Sequence, residues 1–178
     1  MNRAVFFDRD GVINIDTGYV GTIEDFTFVE EIIPAMRHAQ QLGYLLIIVT
    51  NQSGIGRGYY TENDFQKLTQ WMKNELAQQG VIIDAVFHCP HTDSDQCECR
   101  KPKPGLFLQA IDKFDVDCDN SWMIGDSERD IEAAVKVGIG HTVFFDPDNN
   151  KTTTAQHKIS SPGELAALLR RTMSLSKG

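Results

Sequence analysis

Two aspartates, Asp8 and Asp10, stand one residue apart at the end of an apolar run, Val5-Phe6-Phe7, and Gly11 comes directly after them. On a strand, residues i and i+2 point to the same side. The two carboxylates therefore share one side of a strand end, unless the chain turns between them. Like charges that close repel, and burying them unpaired is costly. A divalent cation is the common remedy, and Mg²⁺ takes hard oxygen ligands. Taken alone, Asp-x-Asp-Gly also reads as a strand running into a polar turn. Three further stretches carry polar groups of other types: Thr50-Asn51-Gln52-Ser53-Gly54, Arg100-Lys101-Pro102 and Gly125-Asp126-Ser127-Glu128-Arg129-Asp130. Each has a bland reading too. Thr50 is a possible strand-end hydroxyl, Lys101 a solvated lysine, and Asp126 a helix cap or turn residue.

A second group is local. Cys89, His91, Cys97 and Cys99 form a Cys₃His set, a common combination in structural zinc sites. The spacing is unlike a zinc ribbon, so a reduced, unligated loop stays open as the alternative. Four protein ligands would close the coordination shell, which makes any zinc structural. The set lies just before Arg100-Lys101, where a tetrahedral clamp would stiffen the loop that delivers those cations. Cys118 reads as an ordinary thiol, and His88 as the end of a strand.

The elements that must position these groups are read from periodicity. Ala4 to Asp8 is a buried strand. Residues 11 to 31 have no sustained period and read as a loop or small flap. A helix has Pro34 in its first turn and Gly43 as its stop. Tyr44 to Val49 is a continuous apolar run, as expected of a parallel strand covered on both sides. Thr61 opens a helix with Asp64 as capping-box partner, and Phe65, Leu68, Met72 and Leu76 give its buried face before Gly80. Trp71 belongs with that core. Ile82 to His88 is a third strand, Pro104-Gly105 starts a helix to Phe114, and Trp122 to Gly125 is a fourth strand. A helix then closes at Gly138, and Thr142 to Phe145 is a fifth strand. Asp146 to Thr154 is polar and expected to be mobile. Ser161-Pro162-Gly163-Glu164 caps a last helix to about Thr172, with fraying expected at Ser176-Lys177-Gly178. Five strands alternating with helices predict a Rossmann-like three-layer α/β/α sandwich with a parallel sheet. Such sheets bind ligands beyond the carboxyl ends of their strands, near the point where strand order reverses. Asp8, Thr50 and Asp126 all fall at such ends.

Composition sets the outer bounds. The 178 residues suggest one domain over 1–178, with the cysteine loop at 89–99 inside it. Hydrophobic residues make up 41% and charged residues 24%, so a core of normal size can form. A formal net charge of −8 argues against nucleic acid as a partner, because phosphate backbones need a basic surface. It leaves room for a small phosphorylated ligand in a locally positive pocket. No apolar run reaches the ~18 residues that span a bilayer, so no membrane partner is expected. Met1-Asn2-Arg3 leads straight into a strand without a signal-peptide layout. A monomer in the cytoplasm is the expectation.

The four polar stretches together resemble the haloacid dehalogenase superfamily of phosphotransferases, from about Val5 to Gly140. The resemblance implies a role for each residue that matches. Asp8 matches the nucleophile that forms an aspartyl-phosphate, and Asp10 the acid and base that serves the leaving and attacking oxygens. Thr50 matches the hydroxyl that binds the phosphoryl group, and Lys101 the cation that offsets its charge. Asp126 matches the acidic Mg²⁺ ligand, joined by the Asp8 carboxylate and the Asp10 backbone carbonyl. Asp130 falls where a supporting acid orients the others. The fold would carry no separate cap domain, leaving residues 11 to 31 and 89 to 103 to cover the site.

The cysteine loop with Arg-Lys-Pro at its end is similar to one branch of that superfamily, which holds heptose-bisphosphate and histidinol-phosphate phosphatases. The heptose enzymes carry Ser-Gly-Ile-(small)-Arg-Gly where this chain has Ser53 to Gly58. Asp16, Thr17, Gly18 and Tyr19 resemble their substrate loop. The expected substrate is therefore a small phosphorylated sugar, with histidinol phosphate as the alternative. A phospho-ligand binder without turnover is the alternative of another class. Substrate contacts are expected at Asp16, Thr17, Gly18, Tyr19, Thr50, Asn51, Gln52, Ser53, Arg100, Lys101 and Ser127. Two departures stand out: the loop from His91 to Cys97 is short, and Ser127 stands where some relatives have a lysine.

Overall fold

Strand-forming runs alternate with helices along the whole chain, and the computed structural model, which describes residues 1–175, assembles them as one parallel sheet. The strands are β1 Ala4–Phe7, β2 Leu45–Asn51, β3 Ala85–Cys89, β4 Trp122–Gly125, β5 His141–Phe145 and β6 His157–Ile159. The helices are α1 Ile32–Gln41, α2 Ser53–Gly56, α3 Glu62–Gln78, α4 Gly105–Phe114, α5 Glu128–Lys136 and α6 Gly163–Leu175. Strand order is β3-β2-β1-β4-β5-β6, with every adjacent pair parallel. The chain steps outward from β1 to β3, then returns to the other side of β1 for β4. The order therefore reverses between β1 and β4, and a crevice opens there beyond the strand ends.

Alternation along the strands builds the three layers. Val5 and Phe7 point to one face, where Leu46 and Ile48 of β2 join residues of α1, α3 and α6. Ala4 and Phe6 point to the other, with Ile47, Val49 and residues of α4 and α5. Both faces are covered, which is why β1, most of β2 and β4 read as continuous apolar runs rather than alternating with polar residues. The Rossmann-like α/β/α sandwich is the fold expected from the sequence.

Some local readings change. The sheet has a sixth strand, β6, three residues long and too short to leave a periodic signal. β3 starts at Ala85 rather than Ile82, because Asp84 replaces a ladder residue with its side chain. Its carboxylate accepts from Leu46 N at 2.8 Å, while its own N–H donates to Leu46 O at 2.9 Å. The glycine-rich stretch after β2 contains one turn of helix, α2. The stretch 146 to 154, expected to be mobile, is tied down at both ends. The Asp146 carboxylate accepts from Lys151 N at 2.7 Å and pairs with Lys158 Nζ at 3.2 Å. The Glu128 carboxylate accepts from Thr153 Oγ1 at 2.8 Å and Thr154 N at 2.9 Å. Residues 11 to 31 form turns and isolated bridges, as a flap should. The fraying expected at Ser176-Lys177-Gly178 lies outside the described residues. Among the described residues, no helix is long and apolar enough to cross a membrane.

Candidate active site

The crevice at the strand reversal is a cleft of about 360 Å³. Asp8 comes directly after β1, and its N–H still donates to Ile124 O of β4 at 3.1 Å, which fixes it beside that strand. Asp126 comes directly after β4, and Asp130 stands one helical turn further on in α5. Carboxylate oxygens of Asp8, Asp126 and Asp130 lie within 4.8 Å of one another. Gly11 makes room for this approach. It takes φ of +89°, and a Cβ there would sit 1.9 Å from Asp126 Oδ2.

One buried cation stands among these acids. Lys101 Nζ donates to Asp8 Oδ1 at 3.0 Å, Asp130 Oδ1 at 2.7 Å and the Val49 carbonyl at 2.7 Å. Burial pulls the Lys101 ammonium down, but Asp130 and then Asp8 outweigh it and hold the group above its ordinary value. Burial also pushes the Asp8 carboxyl well up, Asp130 adds to this, and Lys101 opposes it. Asp126 is pushed up to about 6, mainly by burial and then by Asp130. Three crowded carboxylates against one lysine leave negative charge uncompensated. The all-oxygen donor set and its closeness fit a hard divalent cation such as Mg²⁺.

Asp10 lies on the same cleft but faces a separate network. Its Oδ1 accepts from Arg9 Nη2 at 2.9 Å, Arg9 Nε at 3.2 Å and Asn14 Nδ2 at 2.9 Å. Its Oδ2 accepts from Gln52 Nε2 at 3.0 Å. Gln52 Nε2 also donates to Thr50 Oγ1 at 2.8 Å, and the Tyr60 hydroxyl donates to Gln52 Oε1. Burial pushes the Tyr60 phenol up to about 12, so it stays a donor at neutral pH. Its ring packs over Gly54, where a Cβ would meet the ring at 2.2 Å.

The other expected site residues divide. Asp16, Gly18, Tyr19, Asn51, Gln52, Ser53, Arg100, Lys101 and Ser127 line the cleft. Thr50 is fully buried, and its hydroxyl accepts from Gln52, which does line the cleft. Thr17 is exposed on the flap and does not line the cleft. Asp16 shapes the flap through a hydrogen bond from Gly18 N at 2.9 Å. Tyr19 caps the mouth, edge-on to Tyr59 at 4.8 Å between ring centroids, with the Arg57 guanidinium 5.8 Å over its ring. Asn51 clamps the Lys101 backbone from both sides, accepting from its N–H at 3.0 Å and donating to its carbonyl at 3.1 Å.

Sequence reasoning misses four participants: Arg9, Asn14, Tyr60 and Arg129. Arg9 sits between the two aspartates and looks like a spacer. In the structure it is buried, and it also donates to the Val20 carbonyl at 2.6 Å, which ties the flap to the Asp10 loop. Asn14 meets Asp10 within a loop that has no periodic signal, and Tyr60 reaches Asp10 only through Gln52, which the fold brings there. Arg129 is hidden among acids, since the stretch around it stands out for Asp126 and Asp130.

Cys89, His91, Cys97 and Cys99 converge as their residue types suggest. Their ligand atoms lie within 4.8 Å of one another, and the cysteines are free thiols. Three sulfurs and an imidazole nitrogen at that spacing fit a tetrahedral zinc ion. The loop is joined to the cleft at several points. Gln52 N donates to Cys89 O at 2.7 Å, and Gly56 N to Pro90 O at 2.9 Å. His88, expected to end its strand, lies one residue before the end of β3, which runs on to Cys89, and pairs with Glu62 at 2.8 Å. Cys118 stays apart from the cluster.

Residues 16–138 match the haloacid dehalogenase-like hydrolases, and the chain belongs to that hydrolase family. It is 46% identical over 141 residues to the D-glycero-beta-D-manno-heptose-1,7-bisphosphate 7-phosphatase of Haemophilus influenzae, covering 76% of this chain and 77% of the relative. It is 48% identical over 149 residues to the D-glycero-alpha-D-manno-heptose-1,7-bisphosphate 7-phosphatase of Campylobacter jejuni, covering 84% and 86%. The solved structure of D,D-heptose 1,7-bisphosphate phosphatase from B. bronchiseptica, complexed with magnesium and phosphate, superposes with a TM-score of 0.87 at 28% identity. That match covers 96% of this chain and 99% of the other. These names belong to the branch that the Ser53 to Gly58 pattern points to, rather than to histidinol phosphate.

Proposed function

We propose that the chain is a Mg²⁺-dependent phosphatase that removes the 7-phosphate of D-glycero-D-manno-heptose 1,7-bisphosphate and so serves heptose precursor synthesis for lipopolysaccharide core or surface glycan. The observation that carries the reading is Asp8 at the mouth of the central strand, 3.0 Å from a buried lysine and beside two further acids. Relatives at 46% and 48% identity that bear this enzyme name support the substrate.

In this reading Asp8 attacks phosphorus, and the bond from phosphorus to the sugar oxygen breaks as the aspartyl-phosphate forms. Asp10 gives a proton to the leaving sugar oxygen. It then takes one from the water that attacks the aspartyl-phosphate, which frees phosphate and restores Asp8. Lys101 offsets charge on the transferring group. Thr50 acts through Gln52, which its hydroxyl holds in place. The Asp8 and Asp126 carboxylates and the Asp10 carbonyl would hold Mg²⁺, which would supply positive charge to offset that of the transferring group. Zinc at the cysteine loop takes no part in chemistry and stiffens the segment that carries Arg100 and Lys101. The reading treats residues 1–178 as one monomeric, cytoplasmic unit, a setting in keeping with four free thiols.

The test is phosphate release in the presence of Mg²⁺ from the heptose bisphosphate, histidinol phosphate and p-nitrophenyl phosphate. The heptose bisphosphate should show the highest kcat/KM, and Asp8→Asn should abolish turnover. A preference for histidinol phosphate would reject the substrate and leave the mechanism standing. Turnover that survives in Asp8→Asn would reject the mechanism.

A further inference from the structure

Arg129 stands in the first turn of α5, where the helix dipole disfavours a cation. Its acidic neighbours do not compensate it. Glu128 is taken up by Thr153 and Thr154. Asp130 is taken up by Lys101 Nζ at 2.7 Å and Ser127 N at 3.2 Å. Among the described residues, Arg129 has no hydrogen bond or ion pair. It is exposed and lines the same cleft as Asp8.

The other cations of the cleft are committed. Lys101 is held by Asp8 and Asp130. Arg100 pairs with Asp93 and donates to the His91 carbonyl at 3.4 Å. Ser127, on the same rim, brings no charge. An unengaged guanidinium in a position that does nothing for helix stability, facing a cleft rich in carboxylates, suits a second anionic group on the ligand. A guanidinium matches phosphate oxygens bidentately, which an ammonium does not.

We infer that Arg129 holds the phosphate that is not cleaved, at the far end of the sugar, and so sets the preference for a doubly over a singly phosphorylated substrate. The inference rests on the phosphatase reading. The contact forms on binding and persists through the reaction, so it acts on KM rather than kcat. Two other cations compete: Arg100, which lines the cleft but is paired with Asp93, and Lys151. Lys151 lines a neighbouring recess that shares Asp126 and Ser127 with the cleft.

The experiment compares heptose 1,7-bisphosphate with heptose 7-phosphate in the wild type, Arg129→Gln, Arg129→Lys and Lys151→Gln. The wild type should prefer the bisphosphate. Arg129→Gln should shrink that preference about tenfold or more, through KM, in line with a charge-assisted hydrogen bond. Arg129→Lys should recover part of it, which a purely structural role would not predict. An unchanged preference in Arg129→Gln, a larger loss in Lys151→Gln, or no preference in the wild type overturns the role of Arg129. Each of these leaves the phosphatase reading intact, because 7-phosphate release is still measured. A wild type that releases phosphate from neither ester overturns both.

Discussion

At the scale of single residues, the site works by dividing its carboxylates between two networks. Asp8 and Asp130 share Lys101 with Asp126 beside them, while Asp10 is held by Arg9, Asn14 and Gln52. Gln52 joins the second network together, since one amide serves Asp10, Thr50 and Tyr60. Removing the Tyr60 hydroxyl frees that amide to rotate and releases one donor from Asp10. Tyr60→Phe should lower kcat about fivefold to tenfold, the worth of roughly one hydrogen bond. The thermal midpoint should change little, because the ring still fills the space over Gly54. Steady-state kinetics beside a melting curve checks this, and an unchanged kcat would remove Gln52 orientation from the mechanism. Asp8 is legible in the sequence because an apolar run that ends on an acid is a local signal. The Gln52 network is not, because Gln52 and Asp10 are 42 residues apart and meet only after folding. The role of Thr50 at the phosphoryl group comes from the resemblance alone, and in the structure its buried hydroxyl accepts from Gln52.

At the scale of elements, caps and short clamps decide where each segment starts. Thr61 N donates to Asp64 Oδ2 at 2.9 Å, and Asp64 N to Thr61 Oγ1 at 3.0 Å, the reciprocal pair read from the sequence. At α6 the Glu164 carboxylate accepts from Ser160 N at 2.8 Å and Ser161 N at 2.9 Å. The Ser161 N–H, and then that of Ser160, hold Glu164 below its ordinary value. A folded pKa below the unfolded one means stability that is present above about 4.3 and lost as pH falls through the folded value. Glu164→Gln should therefore be less stable than wild type at pH 7, with the gap closing below about pH 4. Urea unfolding at both pH values measures it, and a gap independent of pH would show that the carboxylate charge contributes nothing. Caps are legible because their partners lie within four residues. β6 is not, because a three-residue strand at a sheet edge draws its stability from the pairing of Phe144 and Phe145 with Lys158 and Ile159.

At the scale of the whole molecule, the cysteine loop and the cleft are one mechanical unit. The loop carries Lys101, Asn51 clamps that lysine from the end of β2, and α4 packs its first residue, Gly105, against Glu98. Elemental analysis should find about one zinc per chain, from the four-ligand count. Stripping it with a chelator should lower the thermal midpoint and the phosphatase rate together, because loosening the loop displaces Lys101. A zinc-free protein with full activity would separate the two. The layered fold is legible because it arises from repeated strand and helix patterns. The join between zinc loop and nucleophile is not, because it depends on Asn51 and Gly105, single residues outside any periodic pattern.

The position of β1 at the middle of the sheet has a consequence for how the chain is made. Its register partners are Leu45 to Ile48 on one side and Trp122 to Ile124 on the other. Synthesised before either neighbour, this apolar segment waits for most of the polypeptide before both of its edges are paired. Contacts of such separation in sequence form slowly and leave sticky surface open in the meantime. The residue that would bear the reaction thus reaches its working geometry late in biogenesis, and early release of a truncated nascent chain would yield aggregate rather than a partial enzyme.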